Sequence, residues 1–116
     1  MKKHIAVDLD GTLAHYDGWK GVDHIGPVIT PMKLKVLDWI QQGHKVEIYT
    51  ARVSVPREEA DARYHIDKWL RENGLPDLEI TCIKKKEFQE FYDDRAFRVI
   101  HNTGIVLNCA MEDDHE

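Results

Sequence analysis

The chain has 116 residues, close to the commonest size of one folding unit, with 42% hydrophobic and 32% charged residues and a formal net charge of −5. That balance excludes a disordered or fibrous chain. The acidic charge argues against extensive binding of duplex nucleic acid, which needs many basic contacts. No stretch is long and apolar enough to span a membrane, and the apolar run after the basic start Met1-Lys2-Lys3 stops at Asp8, too early for a signal-peptide core, so a cytoplasmic protein is expected.

In chain order, His4 to Val7 reads as a short buried strand that ends in Asp-Leu-Asp-Gly, a turn signal. A glycine-bearing flap over residues 14–30 follows. Thr30-Pro31 offers an N-cap and a first-turn proline, and Met32, Val36, Leu37 and Ile40 share one helical face up to Gly43. Lys45 to Thr50 reads as a second strand. A second helix is expected from Pro56 and Glu58-Glu59, with Ala62, Ile66, Trp69 and Leu70 as its apolar stripe, an Asp67–Arg71 surface pair, and a stop at Gly74. Leu78 to Ile83 and Phe88 to Tyr92 read as a third and a fourth strand, Arg98 to His101 and Ile105 to Cys109 as short later ones. One domain over residues 1–110 and an acidic, disordered tail over 111–116 are the expected organisation. Strands alternating with helices imply an α/β fold with a parallel sheet and helices on its faces.

In such sheets ligands sit at the carboxyl ends of the strands. Asp8 and Asp10 end the first strand, Thr50 the second, Lys84 follows the third, and Asp93-Asp94 end the fourth. Two like charges about 4 Å apart repel by roughly 4 kcal/mol at an effective dielectric near 20. Carboxylates so crowded therefore call for a cation among them or for protonation. Oxygen donors without a cysteine or histidine cluster suit a hard ion, Mg2+ above others. The seven histidines are scattered and give no zinc spacing. Cys82 and Cys109 are expected to be reduced and buried rather than disulfide-bonded.

Asp8-Leu9-Asp10-Gly11-Thr12-Leu13 resembles the first signature of the haloacid dehalogenase superfamily. Tyr49-Thr50-Ala51-Arg52 is similar to its second motif, Lys84 to its third, and Tyr92-Asp93-Asp94-Arg95 to its fourth. The resemblance runs from about Ile5 to Gly104 and is carried by the joint order of the motifs. It implies a three-layer, Rossmann-like parallel sheet flanked by helices, and a magnesium-dependent phosphomonoesterase. In that pattern Asp8 is the nucleophile that becomes an aspartyl phosphate, and Asp10 the general acid and then base. Thr50 hydrogen-bonds a phosphoryl oxygen, and Lys84 neutralises Asp8 and the phosphate. Asp8, the backbone carbonyl of Asp10, and Asp94 hold the metal, with Asp93 in reach directly or through water. Aspartate at position 10 matches the phosphatases of the superfamily; its transport ATPases carry threonine there.

The gaps between Asp10 and the first helix, and between Glu79 and Lys84, are too short for a folded cap. A capless site suits a strand end, a large substrate, or a neighbouring subunit that completes it. Tyr16, Trp19, Lys20 and His24 in the flap are candidates to contact a base or sugar, with packing of Trp19 over the core as the alternative. Gly11 permits a tight turn after the strand that lets backbone amides face the phosphate, and Ala51 is a further candidate substrate contact. Thr-Ala-Arg and Asp-Asp-Arg also resemble segments of a polynucleotide 3′-phosphatase domain. On that comparison a phosphate contact is favoured for Arg52 over an ion pair, and an ion pair for Arg95. The substrate is then a phosphorylated small molecule or a nucleic-acid 3′ end. The competing readings are a sugar-phosphate phosphatase acting as an oligomer, and a non-catalytic magnesium- or phosphate-binding module.

Overall fold

A computed structural model describes residues 2–107. Its central element is a four-stranded, all-parallel sheet built from β1 (His4–Asp8), β2 (Lys45–Tyr49), β3 (Glu79–Thr81) and β4 (Glu90–Tyr92), in the spatial order β3-β2-β1-β4. Helix α1 (Thr30–Gln41) connects β1 to β2, and α2 (Glu59–Glu72) connects β2 to β3. No helix among the described residues is long and apolar enough to cross a membrane.

Side chains alternate across a strand, so the register fixes the two faces. Ile5 and Val7 pair with Val46 and Ile48, and Ile48 with Ile80, which puts this row on one face. Val36 of α1 and Ala62, Ile66, Trp69 and Leu70 of α2 pack into the same buried cluster, as the periodicity of both segments predicts. Trp39 stacks on Tyr92 at 4.6 Å between ring centroids, closing the β4 end. Both α-helices therefore cover one face.

The expected α/β fold, a parallel sheet flanked by helices, is met; among the described residues both α-helices pack on the Ile5–Val7 face, and neither joins the side chains of the opposite face. Parallel strands need a crossover of about a dozen residues or more to carry a helix, and β3 is joined to β4 by residues 82–89 alone. That face instead carries Ala6, Glu47, Tyr49 and Phe91, with Phe88 packed among Tyr49, Phe91 and His4. Glu47 is fully buried there and bonded by His4 and Lys85. Burial pushes its carboxyl up, but the Lys85 and His4 hydrogen bonds outweigh burial and hold it below the usual glutamate range.

Other local expectations shift. Thr30 is the first helical residue rather than the cap; Ile29 precedes it in an extended conformation with no side-chain cap, and Pro31 sits in the first turn. Pro56–Glu58 forms a separate 3-10 turn before α2. Arg71 pairs with Asp77 at 3.6 Å, not with Asp67. Cys82 is exposed, contrary to the buried thiol expected, and Cys109 lies outside the described residues. The later strands, β5 (Arg98–Val99) and β6 (Val106–Leu107), form an antiparallel hairpin apart from the main sheet. The expected end of the last strand at Cys109 and the 111–116 tail also lie outside the described residues.

Candidate active site

The chain runs from β1 to β2 and β3 on one side, then returns to place β4 on the other side of β1. The crevice between β1 and β4 is thus the switch point where such sheets receive ligands. Asp8 closes β1, and Asp93-Asp94 directly follow β4. Carboxylate oxygens of Asp8, Asp93 and Asp94 all lie within 4.8 Å of one another.

The turn after β1 sets this approach. The fully buried Leu9 accepts backbone hydrogen bonds from Thr12, Leu13 and Ala14 through its carbonyl. Gly11 has φ +88°, and a Cβ there would stand 2.5 Å from Asp94 Oδ2. The Thr12 hydroxyl accepts from the Asp94 amide at 3.1 Å and reaches carboxylate oxygens of Asp94 and Asp8 at 3.4 and 3.5 Å. Gly11→Ala should therefore cost about 1–3 kcal/mol in stability, from the left-handed backbone and the displaced Asp94 together. Urea unfolding measures it, and a loss below 0.5 kcal/mol, the ordinary scatter of surface substitutions, would contradict it.

Electrostatics single out Asp8. Burial, and then the charge of Asp93 and the hydrogen bond and charge of Asp94, push its carboxyl up to about 7. At neutral pH, three ionised carboxylates in this space are unfavourable without a counter-charge. All-oxygen donors from Asp8, Asp93 and Asp94, with the Thr12 hydroxyl beside them, fit a hard divalent cation. The side chain of Asp10 is not one of the three and turns elsewhere.

It turns to Arg52. The guanidinium binds both oxygens of Asp10, through Nε at 2.8 Å and Nη2 at 2.9 Å. Nη2 also donates to the His24 carbonyl at 2.9 Å, Nη1 reaches the Val22 carbonyl at 3.5 Å, and the Trp19 ring stacks 4.8 Å from Cζ. The Arg52 side chain is 4% exposed. The contact made is therefore the ion pair, not the free phosphate fork expected. Arg95 shows the reverse: its amide donates to Asp93 Oδ1, and its side chain, in no ion pair among the described residues, lines the clefts beside Asp8.

A cleft of about 400 Å3 opens over this cluster, with Asp8, Asp10, Thr50 and Ala51 at its base and Tyr16 and Trp19 on its flap side. Thr50 is buried, and its hydroxyl accepts from the Arg52 amide, which starts a 3-10 turn over Ala51–Val53. Val55 and Glu58 complete the wall, positions for which the sequence carries no signal beyond their place after Thr-Ala-Arg. Lys20 is half-exposed and pairs with Asp17 at 3.0 Å, outside this lining. Lys84 is also outside it. Its ammonium lies over the Phe91 ring at 5.4 Å, in a neighbouring cleft that shares Tyr49, Asp93 and Ala96 with a second cleft lined by Asp8.

Of the residues singled out in the sequence, the fold brings together Asp8, Asp10, Gly11, Trp19, Thr50, Ala51, Arg52, Asp93 and Asp94, while Lys20 and Lys84 point to other partners. Thr12, the hydroxyl between two carboxylates, was visible only as part of the first motif. The chain matches no protein-family model, no curated protein and no solved structure.

Proposed function

We propose that the protein hydrolyses phosphomonoesters, with Asp8 as the nucleophile that transiently carries the phosphoryl group. The observation that carries this reading is the convergence of Asp8, Asp93 and Asp94 at the sheet's switch point, with Asp8 pushed up to about 7 by its neighbours. The motif order that resembles the haloacid dehalogenase superfamily supports it, as does the parallel sheet. A bound divalent cation, Mg2+ by donor chemistry, would supply charge neutralisation for the carboxylates and for the incoming ester.

The chain's own residues divide the work. Asp8 attacks phosphorus as the leaving oxygen departs, and Asp10 protonates that oxygen; water then attacks the aspartyl phosphate, giving its proton to Asp10. Thr50 and the backbone at Ala51 orient the phosphoryl oxygens. Arg95, which lines the clefts with Asp8, offers a fork for the phosphate. Lys84 can share that role only by leaving the Phe91 ring. Tyr16 and Trp19 give the cleft an aromatic side that suits a nucleotide or a nucleic-acid 3′ end over a sugar phosphate.

Purified protein should hydrolyse an aryl phosphate with Mg2+ present and stop when the metal is chelated. In a panel of nucleotides, 3′-phosphorylated oligonucleotides and sugar phosphates, the first two should be preferred. A sugar-phosphate preference would defeat the nucleotide assignment. Absence of turnover across the panel, with phosphate still bound, would instead favour a non-catalytic binding module, the reading to which the engagement of Asp10 by Arg52 lends weight.

A further inference from the structure

Arg52 spends its hydrogen bonds on two parts of the molecule that are distant in sequence. Two donors hold Asp10, and others hold the carbonyls of Val22 and His24, while its plane stacks on Trp19. Among the described residues the flap has one further side-chain hydrogen bond from outside it, the Trp69 indole donating to the Gly26 carbonyl at 2.9 Å; Ile25 and Val28 pack against the core, and the base is closed by the His15–Pro27 and Ile29–Leu13 backbone bonds. Among the described residues, the side-chain hydrogen bonds that tie the tip, residues 16–24, to the rest of the protein come from one buried guanidinium. A buried charge is tolerated when its donors are satisfied, and the planar fork meets a carboxylate in one fixed geometry that a lysine does not reproduce.

We propose that Arg52 is a positioning residue that couples the flap to Asp10: the same guanidinium that aims the Asp10 carboxylate orders Trp19 and the flap tip over the cleft. Flap closure and the placing of the proton-transferring carboxylate are then one event. A substrate whose bulk displaces Trp19 loosens Asp10, which makes the flap a selector acting on the rate of the chemical step and not on binding alone. The inference rests on the reading of Asp10 as the proton-transfer group, but its structural half is testable without turnover.

The experiment compares wild type, Arg52→Lys and Arg52→Gln by hydrogen exchange over residues 14–30 and by steady-state kinetics on an aryl phosphate with Mg2+. Expected are exchange at least about 10-fold faster in the flap tip of both variants, and a kcat about 10–100-fold lower with KM changed less than about 3-fold. Trp19→Leu keeps both Arg52 and Asp10 but removes the ring stacked on the guanidinium, and keeps the test open if the Arg52 variants fail to fold. It should loosen the tip and lower kcat in the same direction. Unchanged flap exchange in the variants overturns the proposal. A raised KM at wild-type kcat also overturns it, making Arg52 a phosphate ligand. A loosened tip with unaffected kcat in Trp19→Leu breaks the coupling. If wild type shows no turnover, the phosphatase reading fails and the exchange comparison alone decides whether Arg52 holds the flap.

Discussion

Asp8→Asn is expected to lower aryl-phosphate turnover roughly 10⁴-fold or more, the order seen when an enzyme loses its attacking group, while the protein stays folded. An amide cannot form the acyl phosphate, and every other group keeps its place: Thr12 can still bond at position 8, and Asp93 and Asp94 follow β4 unchanged. The substitution should also raise stability in the absence of metal above pH 7, because it removes the carboxylate that burial and its acidic neighbours disfavour. Loss of activity and gain of stability in one variant is the signature of a functional group held at a cost to the fold. Circular dichroism and thermal melts in chelator, read beside the kinetics, check both halves. Retained turnover would remove Asp8 from its role.

The second large effect is the response of stability to pH and metal. Burial and the neighbouring Asp93 and Asp94 push the Asp8 carboxyl from its ordinary value of 3.8 up to about 7 in the folded protein. A raised folded-state value means that the contribution is fully present below about pH 4 and is lost as pH rises through 7. In chelator, wild type should therefore melt at progressively lower temperature from pH 5 to pH 8. Asp8→Asn should show a smaller decline, since it lacks this titration. Discounting for the partial exposure of the site, a difference of about 1–2 kcal/mol corresponds to roughly 5–10 °C in Tm. Millimolar Mg2+ should restore most of it at pH 8 in wild type, because a ligand bound only by the folded form stabilises it. Glu47 runs the other way: its contribution is lost as pH falls below the usual glutamate range, outside this window. A wild-type Tm indifferent to Mg2+ at pH 8 would contradict the cation site.

Much of the architecture is legible in the sequence because it follows from periodicity. The short apolar run ending at Val7 marks a buried strand, and the Ala62, Ile66, Trp69, Leu70 stripe marks the buried side of a helix; both are local patterns. The acidic residues at strand ends are legible for the same reason, since strand order converts sequence position into a place on one edge. What escapes is what depends on pairing between distant segments. Glu47 interrupts an apolar strand, yet its partners His4 and Lys85 become neighbours only through the β1–β2 register and the β3–β4 link. The targets of Arg52 and Arg95 cannot be ranked from spacing, because a guanidinium takes whichever acceptor the fold brings to it. The short link between β3 and β4, by contrast, is legible as chain length alone.

At Gly11 the gap between the two acidic loops is governed by main chain rather than by rotamers. With no Cβ at that position, the Asp94 carboxylate lies against the Gly11 backbone, and the Thr12 hydroxyl reaches it and Asp8 from the same turn. The approach of the two acidic loops is thus set partly by what the main chain lacks: one added methyl at Gly11 would displace the Asp94 carboxylate.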